Sequence, residues 1–79
     1  IGILAEFDAL PGLSQTNAPV KTSAGKSAGH ACGHHLFGVA SVASGIAIKD
    51  LIAQKKLTGT IKVFGCPAEE GGSGKIYLV

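Results

Sequence analysis

Residues 1–7 are an apolar run with little polar alternation, the pattern of a strand covered on both faces. Asp8-Ala9-Leu10-Pro11-Gly12 interrupts the run, and its Pro-Gly step marks a turn. Residues 13–29 are rich in Ser, Thr, Ala, Gly and Lys, and they predict a long exposed loop of the kind that is usually functional or mobile. From about residue 36 to 56 the apolar positions change step. Leu36, Val39, Ala40, Ala43, Ile46, Ala47 and Leu51 recur at three- and four-residue intervals and predict a helix. Gly38 and Gly45 weaken that helix by about 1 kcal/mol each against alanine, but small side chains let a helix lie close on a sheet. Lys55 and Lys56 stand where cations suit a helix C-terminus, and Thr58-Gly59 is expected to end it. Residues 60–64 read as a second strand, halted by Gly65 and Pro67. Residues 71–74 read as a flexible turn, and residues 76–79 as the start of another helix.

The predicted order is strand, loop, helix, strand. This is a βαβ unit of an α/β fold, most simply two parallel strands joined by a right-handed crossover. In open α/β sheets, function gathers beyond the carboxyl ends of the strands. Asp8 follows the first strand, Glu69-Glu70 follow the second, and Gly29 to His35 lead into the helix. Topology alone therefore sends three polar groups to one rim.

Composition narrows the picture. The 79 residues include three Phe, one Tyr, and neither Trp nor Met, and a chain of this length buries only about 60% of its unfolded surface. It starts at Ile1 and stops on Tyr77-Leu78-Val79 in mid-pattern, so an internal segment of a larger domain is expected. The net charge of +2 comes from seven scattered lysines and no arginine against five acids. Nucleic-acid binders cluster their positive charge, so no nucleic-acid partner is expected. Two cysteines do not make a disulfide framework here. The apolar stretch 36–48 is too short for a bilayer, so no membrane partner is expected. Without a recognisable signal peptide, a cytoplasmic location is expected.

The chemistry is concentrated in Gly29-His30-Ala31-Cys32-Gly33-His34-His35 and Pro67-Ala68-Glu69-Glu70-Gly71-Gly72. A thiolate, imidazoles and carboxylates that converge make a transition-metal site. Cys32 and His34 flank one glycine and could face a single ion, with the helix N-terminus behind them helping to hold a thiolate. Inert packing is the alternative for an isolated Cys-x-His. His30 and His35 suit orienting or structural roles rather than ligation. Glu69 and Glu70 would point opposite ways on an extended chain. On a turn both reach the rim, where one could bind a metal and the other take a proton from water. A solvated surface pair is the alternative. Asp8 joins Glu69 as a candidate catalytic residue, orienting a ligand or the base; capping the turn after it is the other reading. Glu6 ends the strand without an assigned role, and Cys66 is expected to pack structurally. Gly25-Lys26-Ser27 lacks the leading glycine of a phosphate loop, where Val20 stands, and Gly74-Lys75 is followed by Ile76. No nucleotide site is expected.

Ala5-Glu6-Phe7-Asp8-Ala9-Leu10-Pro11, Gly29-His30-Ala31-Cys32-Gly33-His34 and Pro67-Ala68-Glu69-Glu70 together resemble the metal-dependent amidohydrolase and peptidase family that includes carboxypeptidase G, aminoacylase and the indole-acetyl-amino-acid hydrolases. The resemblance implies that residues 1–79 are part of a zinc-exopeptidase-like three-layer catalytic domain, with a small dimerisation domain elsewhere in the protein. It implies one or two divalent ions, manganese or zinc, with Cys32, His34 and Glu70 as ligands and further histidine ligands beyond Val79. It implies Glu69 as general base for hydrolysis, by metal-activated water, of a small-molecule amide, an N-acyl or N-aroyl amino acid. A homodimer, or a hetero-oligomer with a related subunit, is implied as well. Many members end the first strand with His-x-Asp, whose histidine is a ligand; Glu6-Phe7-Asp8 lacks it, as in the Cys-Gly-His branch. That branch more often has aspartate where His35 stands. A non-catalytic metal-binding or regulatory module using the same ligands is the other reading.

Overall fold

The backbone hydrogen bonds of the first strand go to a partner far along the chain. The computed structural model describes residues 1–78. Strand β1 (Gly2–Glu6) pairs in parallel with β4 (Lys62–Cys66), from Gly2↔Lys62 to Glu6↔Cys66. Between them lie a two-residue antiparallel pair, β2 (Leu10–Pro11) with β3 (Ala28–Gly29), and the crossover helix α1 (His34–Ala53). A single helical turn, α2 (Glu69–Gly72), and a 3-10 turn (Gly74–Leu78) follow. This is the predicted βαβ unit. The expected helix at 76–79 is that 3-10 turn, starting at Gly74, and Val79 lies outside the described residues.

Two boundaries differ from the sequence reading. The second strand runs two residues later than predicted, because the parallel ladder carries it through Gly65 to Cys66. Pro67 then removes the next donor. The helix begins at His34 and stops at Ala53, short of the predicted lysine end. Lys55 takes the left-handed conformation at φ 58°. Its N–H donates to Ile52 O, and the N–H of Lys56 donates to Leu51 O. This closing motif normally carries glycine at the left-handed position, so a lysine there hid the stop.

The residues that revealed α1 are not those it buries. Gly45 and Ser41 are buried against the sheet, whereas Leu36 is 68% and Val39 70% exposed. A Cβ on Gly38 would stand 2.8 Å from the Glu6 carbonyl oxygen, and one on Gly45 would stand 2.5 Å from the Val63 side chain. Small residues therefore set the distance between helix and sheet. An open apolar groove of about 780 Å³ remains beside the contact, lined among others by Phe7, Val39, Val42 and Ile46. By length and composition α1 could cross a bilayer. Its small-residue face lies on a parallel sheet, and it has apolar residues on both sides, as a helix inside a larger core does.

The loop between β2 and β3 is tied by its own polar groups. The N–H of Gly12 donates to Ser27 O, and the Gln15 side chain bridges Val20 O and the N–H of Thr22. Leu4, Phe64, Lys75 and Leu78 together line a second, smaller cavity.

Candidate metal centre

Gly33 caps α1 from the left-handed region at φ 84°. No atom crowds its Cβ position, so conformation rather than space calls for glycine there. The turn delivers His34 as the first helical residue, only 6% exposed, at the carboxyl end of β1. Its Nδ1 lies 2.9 Å from Asp8 Oδ1. The other Asp8 oxygen accepts the N–H of Glu70 at 3.0 Å. Asp8 thus joins the helix start to the turn after β4.

Ala68 enters that turn with φ 58° and ψ 35°. The left-handed conformation costs a residue with a Cβ roughly 1–2 kcal/mol, and such outliers concentrate where geometry serves function. The bend lets two adjacent carboxylates face one point. Glu69 and Glu70 each place an oxygen 3.8 Å from His34 Nε2. Glu6 Oε2 is nearer, at 3.1 Å.

Donor atoms of Cys32, His34 and Glu70 lie within 4.8 Å of one another, and so do those of Glu6, His34 and Glu69. Ligand bonds to a divalent ion run about 2.0–2.3 Å, so the donors would have to draw slightly together to share one cation. The electrostatics agree. Burial pushes the His34 imidazolium down, but the hydrogen bond His34 donates to Asp8 and the charges of Asp8, Glu6 and Glu70 outweigh it and raise the pKa overall. The Cys32 thiol is pushed up, chiefly by its hydrogen bond to Glu70, then by burial and by the charges of Glu70, Glu69 and Glu6. The N–H of Glu70 leads in holding the Asp8 carboxyl below its ordinary value. A pocket that retains protons on a thiol and an imidazole favours any cation on those atoms. The mixed sulfur, nitrogen and oxygen donors fit a transition-metal ion. The carboxylates around Cys32 thus act against the helix N-terminus, which favours a thiolate.

The structure brings together all five residues singled out in the sequence: Asp8, Cys32, His34, Glu69 and Glu70. His30 and His35 pack with ring centroids 4.6 Å apart and line the apolar groove, and neither belongs to either donor group. Cys66 is fully buried, and its thiol donates to Phe64 O. Glu6 was missed as a site residue. The two-residue step from Glu6 to Asp8 repeats on one side of an extended chain and was the available signal.

Residues 2–79 match the peptidase family M20/M25/M40. The chain is 46% identical to the B subunit of p-aminobenzoyl-glutamate hydrolase of Escherichia coli (strain K12), covering all of this chain and 17% of that protein. It is 35% identical to Xaa-Arg dipeptidase of Mus musculus, covering all of this chain and 15% of that protein. It is 36% identical to N-acetyl-L-cysteine deacetylase of Bacillus subtilis (strain 168), covering all of this chain and 18% of that protein. The chain therefore spans less than a fifth of the length of these relatives. No solved structure matches it significantly.

Proposed function

The chain belongs to peptidase family M20/M25/M40, and from that premise we propose that it carries part of the catalytic centre of a metal-dependent amidohydrolase. The substrate class is an N-acyl or N-aroyl amino acid such as p-aminobenzoyl-glutamate. The extended runs Cys32-Gly33-His34-His35-Leu36-Phe37-Gly38 and Glu69-Glu70-Gly71-Gly72-Ser73-Gly74-Lys75 resemble the p-aminobenzoyl-glutamate hydrolase B subunit, to which the chain is 46% identical, and this supports that choice within the family. The single observation that carries the proposal is the convergence of Cys32, His34 and Glu70 on one point with Glu69 beside it.

In this reading Cys32, His34 and Glu70 hold a divalent ion, zinc or manganese. Bound there, the ion supplies Lewis acidity to water and to the amide carbonyl. Asp8 keeps the Nδ1 proton of His34 and so presents Nε2 as the donor, the usual arrangement behind a metal-binding histidine. The Asp8 bond to the N–H of Glu70 holds the second carboxylate in register. Glu69 has the most exposed carboxylate of the cluster, at 43%. It takes a proton from the attacking water and returns it to the departing nitrogen as the C–N bond breaks, leaving a carboxylic acid and an amino acid.

The test uses the full-length protein. Glu69→Gln is expected to lower turnover of p-aminobenzoyl-glutamate by about 10²–10⁴-fold while metal content stays at the wild-type level. Cys32→Ala and His34→Ala are expected to lose metal. Full activity in Glu69→Gln removes Glu69 as the base. Metal bound without hydrolysis of any amide in a panel of N-acyl and N-aroyl amino acids points instead to a non-catalytic metal-binding module.

A further inference from the structure

Glu6 has no role in the centre described so far, yet it supplies the oxygen closest to His34 Nε2. Its side chain ends β1 and is 14% exposed. Oε1 accepts a hydrogen bond from Lys75 Nζ, and Oε2 stands 3.1 Å from Nε2. The corresponding oxygens of Glu69 and Glu70 stand at 3.8 Å. Because Nδ1 of the imidazole is engaged by Asp8, Nε2 is the atom left to face a ligand.

Two donors bound to one ion through bonds of about 2.1 Å are separated by about 3.0–3.4 Å, from octahedral to tetrahedral geometry. The separation of Glu6 Oε2 from His34 Nε2 falls in that interval. Donor atoms of Glu6, His34 and Glu69 also form a compact group of their own. Lys75 is 69 residues from Glu6 in sequence, so its contact is made by the fold rather than by neighbourhood along the chain. It places a cation beside a fourth carboxylate where Asp8, Glu69 and Glu70 already crowd.

We propose that Glu6 gives a further oxygen donor to the ion held at His34, and that Lys75, gripping the other Glu6 oxygen, is the positioning residue that keeps that donor in place. The inference rests on the metal-centre reading of the preceding subsection. It carries a consequence for selectivity. Thiolate favours zinc, whereas carboxylate oxygen suits manganese, so Glu6 moves the site toward manganese.

The experiment measures Mn²⁺ and Zn²⁺ affinity by chelator competition in the full-length protein, with thermal unfolding followed in parallel. Glu6→Gln is expected to weaken Mn²⁺ binding by about 10–100-fold and Zn²⁺ binding by less. Lys75→Met is expected to weaken Mn²⁺ binding by about 10-fold, the low end for losing a partner that orients a ligand, and Lys75→Arg to restore it. Should Glu6→Gln fail to fold, the Met and Arg variants of Lys75 carry the same comparison. Mn²⁺ affinity unchanged in Glu6→Gln overturns the proposal. So does a fall in unfolding temperature for Lys75→Met without a change in affinity, the outcome of a merely structural ion pair. If Cys32→Ala loses metal while Glu6→Gln keeps it, this inference alone falls. If the wild-type protein binds neither ion, the metal centre falls with it.

Discussion

Asp8 is bonded to an imidazole 26 residues away and to a backbone N–H 62 residues away. Those contacts give the site an opposed response to pH with and without metal. In the metal-free protein the His34 pKa is raised above its unfolded value of 6.5. Its contribution to stability is complete below that value and is lost as pH rises through the folded pKa. Asp8 has the opposite sign: its lowered pKa contributes above the unfolded value of 3.8 and is lost as pH falls through the folded one. Metal binding must displace the protons of His34 Nε2 and Cys32 Sγ, so apparent affinity should rise with pH, by up to about tenfold per unit for each proton displaced. Isothermal titration of the full-length protein in buffers of different ionisation enthalpy counts those protons. Below pH 6.5, where imidazole and thiol both carry protons, the wild-type count should be two; a count of one removes the thiol from the ligand set. At this scale the sequence was informative about residue type and poor about neighbours. Cys32, His34, Glu69 and Glu70 stood out because their spacing is chemically meaningful. Glu6 did not, because its one signal, the two-residue step to Asp8, gains chemical meaning only when the fold sets an imidazole beside it.

At the scale of elements, the helix was legible from its three- and four-residue apolar spacing and the strands from short apolar runs, whereas their ends depend on single backbone conformations. A left-handed lysine ended α1, and a ladder partner decided the end of β4. The contact between α1 and the sheet makes the next prediction. In an exposed helix, Gly45→Ala would be favourable by about 1 kcal/mol. Here the added methyl meets the Val63 side chain at 2.5 Å, and a β-branched residue has little freedom to turn away. Overpacking costs roughly 1–3 kcal/mol, so the substitution should destabilise on balance. A lowered urea midpoint in the full-length protein is the expected result, and a raised one would show that helix and sheet can separate without penalty. Leu36 and Val39 look like core residues in the sequence but face away from this sheet. The periodicity identified a helix with apolar positions around much of its surface, and which side met β1 was settled by the small residues.

Across the whole molecule the described chain is flat and open, with a radius of gyration of 16.3 Å and extents of 50 × 29 × 14 Å. A compact domain of this length would have a radius of about 12 Å. Two paired strands are at best marginal without further cover, and α1 leaves an apolar groove of about 780 Å³ unfilled. Expressed by itself, the 79-residue segment should therefore show no cooperative thermal transition and no amide hydrolysis; a sharp calorimetric peak or measurable turnover would contradict this. The sequence by itself determined the βαβ order, the family and the five polar residues, because apolar spacing encodes local periodicity and the motifs lie within short runs. Only tertiary structure decided that Asp8 bridges His34 to Glu70, that Glu6, held by Lys75 through one oxygen, sets the other against the same imidazole, and that His30 and His35 line the groove. Those relations join positions dozens of residues apart, and what brings them together is the parallel register of two strands and the close seating of a helix on glycine.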